Sequence, residues 1–197
     1  SGTIMFDGAD ISALPAHQRI RRGIARSFQI PKPFPSMTVR ENLLIPSEFG
    51  SAGARSKDAQ SPEEVLALIG LTEKVNETAK DLTQVELRKL ELARAVAANP
   101  KLLISDESMA GLSNAEVDDI LEILFSLNER GITIIMIEHI MRAVMHFSER
   151  IVVLDAGKKI AVWDGTDDLE RQVSAGVYLY QIQAGEFSQT RKMLLLK

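Results

Sequence analysis

Apolar positions recur at helical spacing most clearly in the second half of the chain. Leu87, Leu90, Leu92, Ala93 and Val96 mark one face of a helix that Asn99-Pro100 must end. A short apolar run at 102–104 follows and finishes in Asp106-Glu107, which predicts a buried strand. Residues 115–129 return to the helical period, Gly131 closes them, and 132–137 is a second apolar run finishing in Glu138-His139. Strand, helix and strand at this spacing form a βαβ unit, which sets the two strands parallel with a right-handed crossover. Further on, the pattern predicts a helix over 141–147 and strands at 151–155 and 158–162 that turn at Gly157. Residues 181–197 carry no readable pattern, and no internal repeat recurs.

The first half is less regular. Residues 3–6 read as a short strand, Asp7-Gly8 as a hairpin turn, and 9–11 as its return, leading into Pro15 and a basic helix over 17–23. Pro31, Pro33 and Pro35 forbid helix in that stretch, after which Thr38 can cap a helix running through Val39, Leu43 and Leu44. Glycines and small polar residues over 50–61 predict a connection, and 63–69 is helical with Gly70 as its stop. The stretch from 31 to about 80 is therefore expected to be mostly helical.

Composition narrows the class. Of the 197 residues 45% are hydrophobic and 25% charged, enough apolar material for a core within one domain and too much for a disordered chain. Lys plus Arg number 23 against 27 Asp plus Glu, a formal net charge of −4, which argues against broad phosphate-backbone binding. Arg19, Arg21, Arg22 and Arg26 form a basic cluster without interleaved aromatics, so it reads as a solvated face rather than a nucleic-acid surface. The absence of cysteine excludes disulfides and thiolate chemistry. No apolar run approaches the ~18–20 residues of a membrane span, so a membrane role is expected only through a partner. The chain opens in strand-turn rhythm without a secretory signal and reads as the interior of a longer sequence.

Candidate chemistry sits at the ends of the two parallel strands, because ligands of open α/β sheets collect outside the carboxyl ends of strands. An Asp at such an end can hold Mg²⁺, a following Glu can polarise an attacking water, and a His on the neighbouring strand can contact a phosphate oxygen. Asp106, Glu107 and His139 fit those parts. Acidic residues that merely begin a solvated loop, and a loop imidazole at His139, are the plainer alternatives. His146 follows seven residues later, but without a third ligand no metal centre is expected there.

Several strings carry a resemblance in their order: Ala25-Arg26-Ser27-Phe28-Gln29, Thr38-Val39-Arg40-Glu41-Asn42-Leu43, Leu87-Arg88-Lys89-Leu90-Glu91-Leu92-Ala93-Arg94-Ala95, then 102–107, Ala110-Gly111-Leu112 and Ile137-Glu138-His139. Over roughly residues 2–180 the chain resembles the ATP-binding subunits of ABC transporters, most closely those of branched-chain amino acid importers. The resemblance implies an α/β fold: a P-loop NTPase-like ABC ATPase core, a mostly parallel sheet flanked by helices, with a small helical subdomain and a truncated N-terminus. It implies a single domain, with core at 1–30 and 81–180, helical subdomain at about 31–80, and a tail at 181–197. ATP and Mg²⁺ are the implied cofactors. Transmembrane permease subunits and a second ATPase subunit are the implied partners, no nucleic acid is expected, and the place is the cytoplasmic side of the cell membrane, held there by the permease.

Residue by residue, the resemblance makes Gln29 the glutamine that touches the metal or attacking water and senses the membrane subunit. Asp106 becomes the Mg²⁺-binding aspartate of the Walker B motif, Glu107 the catalytic glutamate, and His139 the contact to the γ-phosphate. Ala110-Gly111-Leu112-Ser113 resembles the loop that crosses to the second subunit. Leu82-Thr83-Gln84-Val85-Glu86 stands where the signature loop is expected, and there it departs from the pattern. Thr83 keeps a hydroxyl for the partner's γ-phosphate, Gln84 follows it, Val85 replaces a glycine, and Glu86 adds negative charge. Ser108 stands where a proline usually follows the glutamate, Ile140 where an acidic residue usually follows the histidine, and Ser105 puts a hydroxyl in an otherwise aliphatic strand. The G-x-x-x-x-G-K-[ST] phosphate loop, which the family carries ahead of the segment that begins here, is absent; Gly157-Lys158-Lys159 does not supply it. Truncation or true loss of that loop is the expectation, with a non-hydrolysing binding module as the rival to an active ATPase.

Overall fold

The computed structural model describes residues 2–50, 60–155, 158–163, 176–184 and 187–195, the last two spans as backbone only. They group into two compact units, Ser1–Ile137 and Glu138–Lys197.

The first unit is built on a three-stranded parallel sheet in the order β3 (Ile24–Ser27), β4 (Leu102–Asp106), β5 (Thr133–Ile137). The βαβ expectation is met: β4 and β5 are parallel neighbours, joined through α5 (Asn114–Glu129). The strand β3 has no counterpart in the sequence pattern. A small hairpin of β1 (Met5–Phe6) and β2 (Ala9–Asp10) precedes it, followed by α1 (Ala16–Arg21).

The two faces of this sheet differ. Ala25 and Ser27 of β3 and Leu103 and Ser105 of β4 point to one face and are buried. α4 (Gln84–Ala97) packs on β3 and β4 there, and α5 packs on β5. On the opposite face Leu102 and Ile104 are only partly covered, and Ile135 and Ile137 are 49% and 48% exposed. The strands expected to be wholly buried are therefore buried from one side.

α2 (Val39–Phe49) and α3 (Pro62–Ile69) flank α4. The segment 75–80 zips along 35–40 through Val39 N–H to Glu77 O (2.9 Å), Ala79 N–H to Met37 O (3.0 Å) and Lys80 N–H to Pro35 O (3.2 Å). Asn42, fully buried on α2, accepts from Phe34 N–H (2.8 Å) and donates to the carbonyls of Phe34 (3.1 Å) and Thr38 (2.9 Å), pinning the proline-rich loop to the helix. Gly50 ends α2 at a place where a Cβ would lie 2.4 Å from Pro46 O and 2.7 Å from Ala98 Cα, so only glycine fits. Most of the expected connection over 50–61 lies outside the described residues.

Four helices begin with the same device. Thr38/Glu41, Ser61/Glu64, Thr83/Glu86 and Ser113/Glu116 each form a capping box, the hydroxyl accepting from the N–H three residues on and the glutamate accepting from the cap's own N–H. α3 ends as expected, Gly70 taking φ 74° in the left-handed cap.

In the second unit α6 (Met141–Phe147) is as expected, and β6 (Ile151–Asp155) pairs antiparallel with β7 (Lys158–Trp163). The expected turn at Gly157 lies outside the described residues. Where the sequence pattern is unreadable, the backbone forms an antiparallel pair, β8 (Gly176–Ala184) with β9 (Phe187–Leu195).

Candidate functional site

The register of β3 against β4 sets Ser27 beside Ser105. Gln29 and Glu107 stand two residues beyond these, so equal advance along parallel strands brings them side by side. Gln29 Nε2 donates to Glu107 Oε2. Arg26 lies opposite Ile104, and Asp106 is the next residue on that face of β4. Arg26 Nη2 accordingly donates to Asp106 Oδ2 as an ion pair, with the guanidinium 5.3 Å from the Phe28 ring centroid.

Glu107 carries a strained backbone. Its φ is 45°, a left-handed conformation that costs a residue with a Cβ about 1–2 kcal/mol. Its N–H donates to Ile137 O at 2.9 Å, continuing the ladder onto β5, and its carbonyl accepts from Ala110 N–H at 3.3 Å. The chain thus reverses at the acidic pair, presenting both carboxylates at the carboxyl end of the sheet while Ser108 and Met109 return to the core. Gly111 closes the turn at φ 79° and is exposed, and Ser113 is spent on the cap of α5.

A cavity of about 430 Å³ opens beside this place, lined in part by Arg26, Phe28, Gln29, Glu91, Arg94 and Asp106. Its wall is ordered by Arg94, whose Nη1 donates to Lys32 O and to Glu91 Oε2 at 2.8 Å each. Arg26, Glu91 and Arg94 go unremarked as site residues in the sequence. The arginine at 26 becomes readable only once 24–27 is known to be a strand.

The Thr83 region is a helix start. Thr83 Oγ1 donates to Glu86 Oε2 at 2.8 Å and its N–H donates to the same oxygen at 2.8 Å. The backbone N–H of Thr83 is the main cause holding the Glu86 carboxyl below its ordinary value, with Lys74, 3.7 Å away, adding to the effect against partial burial. Gln84 and Val85 form the first turn of α4 between these two. The added charge of Glu86 is therefore engaged locally, and the Thr83 hydroxyl is already hydrogen-bonded within its own cap. His139 belongs to the second unit, where its exposed ring has Nδ1 4.0 Å from Oε2 of the buried Glu138. Within the basic cluster, Arg19 donates to the carbonyls of Leu14 (2.8 Å) and Ser12 (3.0 Å), so two of the four arginines, Arg19 and Arg26, serve internal contacts.

The donor set decides what this place can hold. Among the described residues no three His, Asp or Glu side chains gather to bind a metal. Mg²⁺ does not need such a cage, since it takes one or two protein oxygens with the rest from water and phosphate. Asp106 and the Gln29 side-chain oxygen, left open because the amide nitrogen faces Glu107, suit that role. A triphosphate is a different matter, because no backbone cradle of the G-x-x-x-x-G-K-[ST] kind exists in these 197 residues.

Comparison with known proteins agrees with the motif order. Residues 1–110, more than half of the chain, match the family model described as ABC transporter. The chain belongs to the ABC transporter family. Among its ABC relatives are the high-affinity branched-chain amino acid transport ATP-binding protein BraF of Pseudomonas aeruginosa, 35% identical with 85% of this chain and 71% of that protein covered, and the lipopolysaccharide export system ATP-binding protein LptB of Haemophilus influenzae, 33% identical with 90% and 74% covered. The ADP conformation of an ABC transporter's ATP-binding cassette superimposes with a TM-score of 0.72 at 28% identity, covering 84% of this chain and 70% of that one. A dimeric post-hydrolysis cassette bound to ADP and phosphate gives 0.71 at 26% identity, covering 83% and 73%. The α/β architecture expected of an ABC ATPase core is thus shown. No helix among the described residues of this ABC protein is long and apolar enough to cross a membrane.

Proposed function

We propose that this chain supplies the hydrolytic residues of the ATP-hydrolysing subunit of an ABC importer for branched-chain amino acids, a subunit that works beneath a transmembrane permease and is paired with a second ATPase subunit, and that residues 1–197 alone do not grip ATP. The observation that carries the hydrolytic part is the Gln29–Glu107 contact at the carboxyl ends of β3 and β4, where a carboxylate is held by an amide that also offers an oxygen. In this reading Glu107 polarises the attacking water, Asp106 with Gln29 holds Mg²⁺, and His139, two residues past β5, meets the γ-phosphate. Mg²⁺ and ATP would supply charge neutralisation and the phosphoryl group. Gly111 and the start of α4 at 83–86 would face the second subunit, and the helical stretch after Gln29 the permease. The cytoplasmic membrane surface is the place that follows. Solute assignment rests on the names of relatives such as BraF and LivG, and is the finer step, since LptB and the methionine import protein MetN match at comparable identity.

Deleting the gene in its host should abolish high-affinity uptake of radiolabelled leucine and leave methionine uptake and lipopolysaccharide export intact. Unchanged leucine uptake refutes the importer assignment. A chromosomal Glu107→Gln change should remove transport as completely as the deletion, because it deletes a base and keeps the shape.

A second reading, a non-hydrolysing binding module, is favoured by the Arg26–Asp106 ion pair, which already neutralises the metal-binding carboxylate. It predicts that Glu107→Gln leaves transport unaffected. Both readings expect the polypeptide of residues 1–197, titrated with Mg-ATP by calorimetry, to show no saturable binding below about millimolar, roughly −4 kcal/mol. A micromolar isotherm lost on Asp106→Asn would reveal an unforeseen phosphate site.

A further inference from the structure

Ser105 and Ser108 are 0% and 4% exposed, and their Oγ atoms lie 2.8 Å apart in the core directly beneath the acidic pair. One is the penultimate residue of β4 and the other follows Glu107, so this single bond bridges the foot of the arch formed by Asp106 and Glu107. Serine leaves its own φ free, whereas a proline at 108 would fix it. The left-handed Glu107 also makes backbone bonds to Ile137 and Ala110, and its carboxylate accepts from Gln29. Ser27, paired in register with Ser105 and equally buried, shows the contrast: its Oγ has no partner.

We propose that Ser105 and Ser108 are positioning residues, a hydroxyl clamp that fixes the arch so that the Glu107 carboxylate meets the Gln29 amide. The clamp rests on the reading of Glu107 and Gln29 as a functional pair. Neither serine touches substrate. Their hydroxyls hold the turn from below, and each needs the other, since removing one leaves its buried partner unsatisfied.

The test is a cycle on the Gln29 side-chain amide resonances in ¹⁵N–¹H spectra of the chain. In the unaltered chain Glu107→Ala should move them, because the acceptor is lost. In a Ser105→Ala/Ser108→Ala background they should already stand at that shifted position, and Glu107→Ala should move them by less than a third as much. Ser108→Ala alone should reproduce most of this should the double variant not fold. Ser27→Ala, an equally buried hydroxyl loss, should leave the full response to Glu107→Ala. A clamp variant that keeps the full response, even with a lowered melting temperature, overturns the proposal and leaves the functional pair standing. No response to Glu107→Ala in the unaltered chain overturns the pair itself, and the clamp with it.

Discussion

The two faces of the β3-β4-β5 sheet follow different rules. On the covered face small and medium side chains, Ala25, Leu103 and the serines, lie flat beneath α4 and α5, and every polar atom there must find a partner or go without. On the other face Ile135 and Ile137 stand half in water, and Arg26 reaches along the strands to Asp106. Parallel sheets usually carry helices on both sides. The comparison teaches that the fold's stability is held on one side of this sheet, while the candidate metal-binding carboxylate sits on the other, at the carboxyl end of the central strand where Arg26 pairs with its charge.

Truncation on each face should show this difference most visibly. Leu103→Ala on the covered face should cost about 2–5 kcal/mol, because a fully buried side chain leaves a cavity. Ile135→Ala on the open face should cost under about 1 kcal/mol. Urea denaturation followed by far-ultraviolet circular dichroism checks both, and equal losses would mean that the open face is covered in solution. Next in size, Ser105→Ala should cost about 1–3 kcal/mol by orphaning Ser108, while Ser27→Ala should be neutral or stabilising, because its hydroxyl is already unpartnered. A loss at Ser27 matching that at Ser105 would show that a buried water satisfies it.

Acid should erode the covered side through its helices. Glu86 and Glu116 cap α4 and α5, and both carboxyls lie below their ordinary value of 4.5. For Glu86 the main cause is the backbone N–H of Thr83, and for Glu116 the hydroxyl of Ser113. Groups lowered on folding contribute stability above the unfolded value and lose it as pH falls through the folded one. The melting temperature should therefore be level above about pH 5 and decline below 4.5, and Glu86→Gln should flatten that decline slightly. Lys74, raised by Glu77, gives the opposite and smallest effect: stability present below its ordinary 10.5 and lost as pH rises beyond it.

Legibility in the sequence tracked how each element earns its burial. The unit β4-α5-β5 is readable because Leu102-Leu103-Ile104 and the run to Ile137 are apolar strings, broken only by Thr133, although only Leu103 among them is fully buried, and α5 repeats apolar residues at helical spacing. β3 is hidden because its buried positions are Ala25 and Ser27, which carry no apolar signal, and its exposed one is Arg26. Of the capping boxes, Thr38 reads plainly as a cap, whereas Thr83-x-x-Glu86 carries the same local chemistry but also falls where the family expects a signature loop. In the candidate site, Asp106 and Glu107 are visible as strand-end acids, but their partners depend on the register of a strand the pattern does not announce. Gln29 is reachable only through the order of the family's strings, and the Arg26 ion pair not at all.

The division into two units has a spectroscopic consequence. The single tryptophan, Trp163, and both tyrosines, Tyr178 and Tyr180, fall in Glu138–Lys197, while Ser1–Ile137 holds phenylalanine as its sole aromatic type. Emission excited at the red edge of protein absorption therefore originates wholly in the second unit. A tryptophan introduced at Phe28, beside Arg26 and Gln29, would give the first unit a fluorophore of its own, so that the melting of each could be followed in one sample.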